Sequence, residues 1–202
     1  MRGRHELGRS LTFNELYTYA EIISSESERG GTLNVTEAIR TKRAVRTFQA
    51  RPLPQQVVRE ILNAGRRAQS SKNEQAWRFI AIQDRPTLEA LSTCGRWATH
   101  LAAAALGVAI LTPDPAAKFQ TMFDAGQAAA LMQLAAWELG VGSCPASIYE
   151  PEKARALLMF PAEWHLRIAL SFGYPVDDEE ARTPASKGGR RDFAEVVHFD
   201  RW

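Results

Sequence analysis

The chain has 202 residues, 45% of them hydrophobic, which is enough to bury one substantial core and too little for two large domains. Its 25 lysines and arginines stand against 23 aspartates and glutamates, a formal charge of +2, so no global field points to a nucleic-acid partner. Cys94 and Cys144 form no CxxC, and His5, His100, His165 and His198 are dispersed, which argues against a metal site and a disulfide framework; both thiols read as buried and reduced.

The opening MRGRHELGRS lacks an apolar stretch after its arginines, so a secretory signal is not expected. The longest apolar run, Leu101 to Leu111, is about half of what a bilayer requires. A soluble, cytoplasmic protein without membrane or nucleic-acid partners is the expectation.

Residues 1–33 read as an N-terminal arm. Phe13, Leu16, Tyr17 and Ala20 follow helical spacing, and SSESERGG then breaks the pattern. Residues 34–202 form the main domain. Asn34 with Glu37 three residues on is an N-cap signal, opening a short helix to about Lys42. Pro54 opens a second helix with Val57, Val58, Ile61 and Leu62 on one face, ending near Gly65.

Arg78 to Gln83 has strand character, and Pro86 to Leu91 reads as a helix start. Leu106 to Thr112, closed by Pro113, is a second strand. Asp124 to Leu139 is the longest helix, so rich in Ala and Leu that both faces look buried, with Gly140 as its stop. His165 to Phe172 alternates as a strand, an acidic run from Asp177 to Glu180 leads into a loop, and Val196 to Trp202 again has strand character. Helices and strands mix without regular βαβ spacing, which favours an α+β fold over a doubly wound sheet.

Four segments offer chemistry. The first is IRTKRAVRTF, whose Arg43 and Arg46, three apart, would share one face of a helix end beside Lys42; both could reach one anion, but taken alone the cluster reads more simply as a solvated helix terminus. The second is AQSSKNEQAWRF, where Ser70, Ser71, Asn73 and Gln75 offer donors and acceptors to a ligand edge, or simply cap the preceding helix. The third is GVGSCPAS, Gly140 to Ser147, a turn of small residues with main-chain N–H groups uncovered. The fourth is SKGGRRDF, with Lys187, Arg190 and Arg191 beside two glycines.

In order, KRAVRTF, AQSSKNEQAW, DAGQAAALMQLAAWELGVGSCPAS and RRDFAEVVHFDRW make the chain resemble the nitroreductase family of flavin enzymes over about residues 34–202. The resemblance implies a nitroreductase-like α+β fold, with a central, mainly antiparallel sheet flanked by helices. It also implies a domain-swapped type of homodimer with FMN at the interface. Lys42, Arg43 and Arg46 would match the early basic motif that holds the flavin phosphate and pyrimidine edge, with Ala44 where relatives commonly carry Ser. Asn73, flanked by Ser71 and Gln75, would meet the ring system. Pro145, Ala146 and Ser147 would pass the N5 side, and Arg190 and Arg191 would hold the phosphate. Ala76 replaces a common Pro, and Gly189 a common Lys.

The implied activity is an NAD(P)H-dependent FMN oxidoreductase. Electrons would pass by a ping-pong mechanism to a small aromatic or quinone-like acceptor. The cofactor carries the chemistry, so no side-chain nucleophile is required, and Lys42 or Arg46 would stabilise negative charge on the reduced ring. Trp97, Phe119 and Phe123 read as packing residues or as a lid over a flat acceptor. The alternatives are a flavin-sequestering protein without turnover and a member with a specialised reaction such as dehalogenation or flavin fragmentation.

Overall fold

The computed structural model describes residues 34–177 and 189–202. The N-terminal stripe of Phe13 to Ala20, and Lys187 with most of the acidic run, lie outside the described residues.

Helix α1 (Val35–Thr41) is capped by the Asn34 side chain, which accepts from the Glu37 N–H at 2.9 Å as the spacing predicts. Helix α2 (Gln55–Arg66) follows Pro54 and buries Val57, Val58 and Ile61 on the expected face. A single 3-10 turn (Ser71–Asn73) leads to strand β1 (Arg78–Ile82). Helix α3 (Arg85–Ser92) is capped by Asp84 and carries Pro at its start.

A 3-10 turn at Thr99–Leu101 precedes strand β2 (Leu106–Thr112), buried along its whole length. Next come helix α4 (Gln120–Glu138), strand β3 (Gly142–Ser147), helix α5 (Pro151–Leu158) and strand β4 (His165–Gly173). The short helix α6 (Phe193–Val196) is the last element.

The strands form one sheet in the order β1-β2-β4-β3, and every pairing is antiparallel. Side chains alternate across it, so Leu106, Val108 and Ile110 pack with Ile61, Ala128 and Met132 of α2 and α4. Ala109 and Leu111 turn the other way, toward Leu88, Leu91 and Ala154. The outcome is an α+β fold with helices on both faces of an antiparallel sheet.

Helix α4 ends where its sequence says it should. Gly140 takes a positive φ of 69°, its N–H bonds to the Trp137 carbonyl, and the Val141 N–H reaches back to Ala136 at 2.8 Å. This is the paired hydrogen-bond pattern of a Schellman stop. Only one face of α4 is buried in this chain, however: Phe123, Ala130 and Leu131 are exposed on the other.

Two expectations need correction, and one helix carried no signal. Residues 142–147 are a strand rather than a turn, because their small side chains fit a sheet edge over which another segment passes closely. The carboxyl end from Val196 forms no strand; the Val197 N–H closes a helical turn onto Phe193, and the remainder pairs with none of the four strands. Helix α5 was not predicted at all.

The close passage is at Gly142, where a Cβ would lie 2.6 Å from Val45 Cβ. Val45 is itself buried, so neither side has room to give. Gly142→Ala is therefore expected to destabilise the protein by about 1–3 kcal/mol, read as a lowered urea midpoint with an unchanged slope. An unchanged midpoint would show that the two segments are not packed this way.

Candidate functional site

The basic segment owes its position to an early helix stop. Lys42 has non-helical backbone angles at the end of α1, and the chain beyond it lies along β3. Ala44 forms a parallel bridge with Ser143, the Val45 N–H donates to the Ser143 carbonyl at 3.0 Å, and Phe48 bridges Pro175. Arg43 and Arg46 thus do not share a helix face. The Arg43 guanidinium folds back onto the Arg40 and Lys42 carbonyls at 2.8 and 3.0 Å, acting as a helix cap.

Lys42 and Arg46 are the pair the fold brings together. Both act electrostatically on the Cys144 thiol, which burial pushes above its ordinary value and which the two cations pull back. The Lys42 Nζ donates to Gln133 Oε1 at 2.6 Å, and Trp137 Nε1 donates to Thr41 Oγ1 at 3.0 Å, tying the segment to α4. Partial burial holds the Lys42 ammonium below its ordinary value, with Cys144 acting against that fall. A cation in such a place interacts more strongly with a ligand anion than one in open water.

The polar loop is strained where it is most polar. Lys72, Asn73 and Gln75 have φ of 52°, 55° and 49°, a left-handed conformation that costs free energy in residues with a Cβ. It is held by the Ser71 N–H donating to Asp124 Oδ2 at 3.0 Å, by the Gln75 N–H donating to Ser70 Oγ at 2.9 Å, and by a Lys118–Glu74 ion pair. Gln75 Nε2 also donates to Asn73 Oδ1 at 3.2 Å, aligning the two amides. Asp124 and Gln133 are nine residues apart on α4, so the loop and the basic pair are stations about 13 Å apart along one helix.

Pro145 sits inside β3 without breaking the sheet. Ser143 faces outward toward Val45, and Pro145, two residues on, shares that outward side, where its missing N–H removes no ladder bond. The uncovered N–H groups expected here are therefore fewer than the composition suggests, since Pro145 has none. Ala146 is buried, and the Ser147 carbonyl occupies the space a Cβ on Gly95 would need. Arg190 and Arg191 are exposed on the carboxyl-terminal segment and form no hydrogen bond or ion pair with the Lys42–Arg46 pair among the described residues.

His100, which no motif signalled, is 6% exposed at the end of this site. Its Nδ1 lies 2.7 Å from Ser171 Oγ, and Ser171 donates to the Cys144 carbonyl at 3.2 Å. His100 and Arg46 line a cleft of about 470 Å³ with Trp97, Thr99 and Ala103. Trp97, Phe119 and Phe123 are 70%, 76% and 72% exposed, so none is a core residue of this chain. A wider hollow over Asn34 to Arg40, about 740 Å³, lies along α1 and includes the Glu37 carboxylate, which would repel an anion. Cys94 and Cys144 are buried free thiols, and the described residues hold no cluster able to bind a metal and no helix able to cross a membrane.

A strained amide loop, a cation pair beside an edge strand and a helix joining them lie on a four-stranded antiparallel sheet. The model of the nitroreductase family matches residues 39–94 and 93–174. The chain belongs to the nitroreductase family.

A protein of Archaeoglobus fulgidus, whose provisional name joins NADH dehydrogenase and NAD(P)H nitroreductase, is 29% identical over 171 residues, covering 81% of this chain and 96% of its own. The NADH dehydrogenase of Thermus thermophilus is 26% identical over 182 residues, 72% of this chain and 89% of its own. Among solved structures, an FMN-dependent nitroreductase from Clostridium difficile superimposes with a TM-score of 0.70 at 26% identity, over 82% of this chain and 98% of that one.

In this nitroreductase family member, burial and the Arg46 charge hold the His100 imidazole below its ordinary value, against a smaller opposing effect of the Pro145 carbonyl. The unfolded chain therefore takes up a proton first, and stability falls as pH drops below about 6.5. Comparing urea midpoints at pH 7.5 and 5.5 should show a smaller loss for His100→Gln than for the parent. Equal losses would remove His100 from the acid response.

Proposed function

We propose that the chain is an FMN-dependent oxidoreductase that passes electrons from NAD(P)H to a small aromatic or quinone-like acceptor. The observation that carries this reading is the Lys42–Arg46 pair, set beside the outward edge of β3 and facing no carboxylate among the described residues. Cations with no ion pair among the described residues and an orphaned buried nitrogen on His100 leave interactions for a bound anion and its polar edge to complete. That donor set fits a flavin phosphate and pyrimidine ring, and the named relatives support both FMN and NADH.

Bound there, FMN would accept hydride at N5 and pass electrons onward. Lys42 and Arg46 would stabilise negative charge on the pyrimidine edge, the half-buried Lys42 contributing more per contact. Pro145, Ala146 and Ser147 would line the ring on the strand side, while Ser71, Asn73 and Gln75 would orient it through their amides and hydroxyls. Arg43, committed to capping α1, contributes least, and the methyl of Ala44 offers no hydrogen bond.

The reading includes a homodimer. Val35 and Ile39 on α1, and Phe123 and Leu131 on α4, are large apolar groups left exposed in the single chain. Phe193, Val196, Phe199 and Trp202 join them at the carboxyl end, Trp202 being 98% exposed. A second copy would cover these groups, and its terminal segment would bring Arg190 and Arg191 to the phosphate. Nicotinamide and acceptor would then take turns over one ring face, giving ping-pong kinetics.

The purified protein should be yellow, release FMN on denaturation, and bleach with NADH or NADPH under anaerobic conditions. Initial-rate lines at several acceptor concentrations should run parallel. A colourless protein that refuses added FMN overturns the assignment, and a flavin that stays oxidised points to sequestration instead of turnover. Arg191→Ala should weaken FMN binding roughly ten- to a hundredfold, the loss of one charge-assisted contact; an unchanged dissociation constant would show that Arg191 does not hold the phosphate.

A further inference from the structure

Helix α4 meets the end of α1 at two points one turn apart. Trp137 Nε1 donates to Thr41 Oγ1 at 3.0 Å, and the same hydroxyl donates to the Glu37 carbonyl at 2.7 Å, which fixes the backbone just ahead of Lys42. Four residues earlier on α4, Gln133 Oε1 accepts from Lys42 Nζ at 2.6 Å. A flexible four-carbon side chain is thus held at both ends. Its freedom is lost on folding rather than on binding, which favours any ligand that meets the ammonium.

Gln133 stands in LMQLAAW, an otherwise apolar run in which an aliphatic side chain would serve packing alone. A carboxylate there would grip the ammonium harder and cancel its charge. The amide oxygen orients the ammonium and leaves the charge whole. Nothing on this stretch of helix offsets it: Ala125 to Trp137 includes no ionisable residue, and Lys42 is in none of the ion pairs among the described residues. The Cys144 thiol, held above its ordinary value by burial, is uncharged at neutral pH. An ammonium has three donors, so two remain once Gln133 has taken one.

We propose that Gln133 is a positioning residue for the flavin site: its Oε1 holds the Lys42 ammonium against α4 through one N–H and, being uncharged, leaves the full positive charge and two further donors for the anionic cofactor. The role rests on the reading that FMN binds against Lys42. It explains why an amide stands here in place of an aliphatic or acidic side chain. A staple between α1 and α4 needs no uncompensated cation, and the Trp137–Thr41 bond already supplies one.

The test is a double-mutant cycle on FMN affinity, read by quenching of flavin fluorescence. Methionine nearly matches glutamine in length and suits the apolar run, so Gln133→Met removes the acceptor and keeps the fold, whereas Gln133→Glu keeps an acceptor and cancels the charge. Gln133→Met should weaken FMN about fivefold and Gln133→Glu about tenfold or more, and with Lys42→Met already present Gln133→Met should add nothing further. A lowered urea midpoint with parent-like FMN affinity would reduce Gln133 to a staple. Losses that add to that of Lys42→Met would separate Gln133 from the ammonium.

The 13Cε shift of Lys42, titrated in flavin-free protein, tests the contact without FMN. Its midpoint should fall in Gln133→Met, which loses an acceptor for the charged form, and rise in Gln133→Glu, which gains a carboxylate. A midpoint unmoved by both overturns the Lys42–Gln133 bond in solution. A parent protein that takes up no FMN overturns the cofactor reading and the positioning role together, whereas a parent that binds FMN and a Gln133→Met variant that matches it overturn the positioning role alone.

Discussion

The hydrogen bond from the Val45 N–H to the Ser143 carbonyl, with Val45 seated in the notch left by Gly142, is the contact on which the site depends. It fastens the segment after α1 to the free edge of the sheet. Without it, Lys42 and Arg46 would sit on a loose connection and their positions relative to Pro145 would not be defined. Phe48, wedged where Gly173 lacks a side chain, anchors the other end of the same segment. Two glycines on adjacent strands thus turn a short run of basic residues into a fixed surface.

Helix α4 supplies the second constraint. It buries Ala128, Met132 and Ala136 against the sheet and turns two polar side chains to the candidate site, Asp124 on the strained loop and Gln133 on Lys42. The strain at Lys72, Asn73 and Gln75 persists because Asp124 and Ser70 hold the loop from both ends. An amide array fixed in this way loses little freedom when it meets a ligand, which favours binding without requiring more contacts.

Elements governed by local chemistry were legible in the sequence. The Asn34 cap, the Pro54 helix start, the Leu106–Thr112 strand and the Gly140 stop all fall where their signals lie. What escaped depends on neighbours distant in sequence. Gly142 to Ser147 reads as a turn because Gly and Pro are poor strand formers, yet at an edge Pro145 loses no ladder bond and Gly142 makes room for Val45. Val196 to Trp202 reads as a strand from its side chains, but it pairs with no strand of this sheet and begins instead as a helical turn.

The site shows the same division. Lys42, Arg46 and Pro145 stand in motifs, and the fold gathers them. Arg43 stands in the same motif and is turned back as a cap, which no spacing rule distinguishes from ligand binding. His100, Ser171 and Gln133 carry no motif, because their roles come from partners 71, 27 and 91 residues away. A polar residue inside an apolar run, as in LMQLAAW, was the available hint for Gln133.

The central claim is that the stapled segment and the edge strand form the FMN cradle. Hydrogen exchange of the flavin-free protein, followed by mass spectrometry as FMN is added, addresses it most directly. The account predicts slowed exchange across residues 42–48 and 142–147 together with the loop at 70–75. Protection confined to other segments, with those three unchanged at saturating FMN, would contradict it.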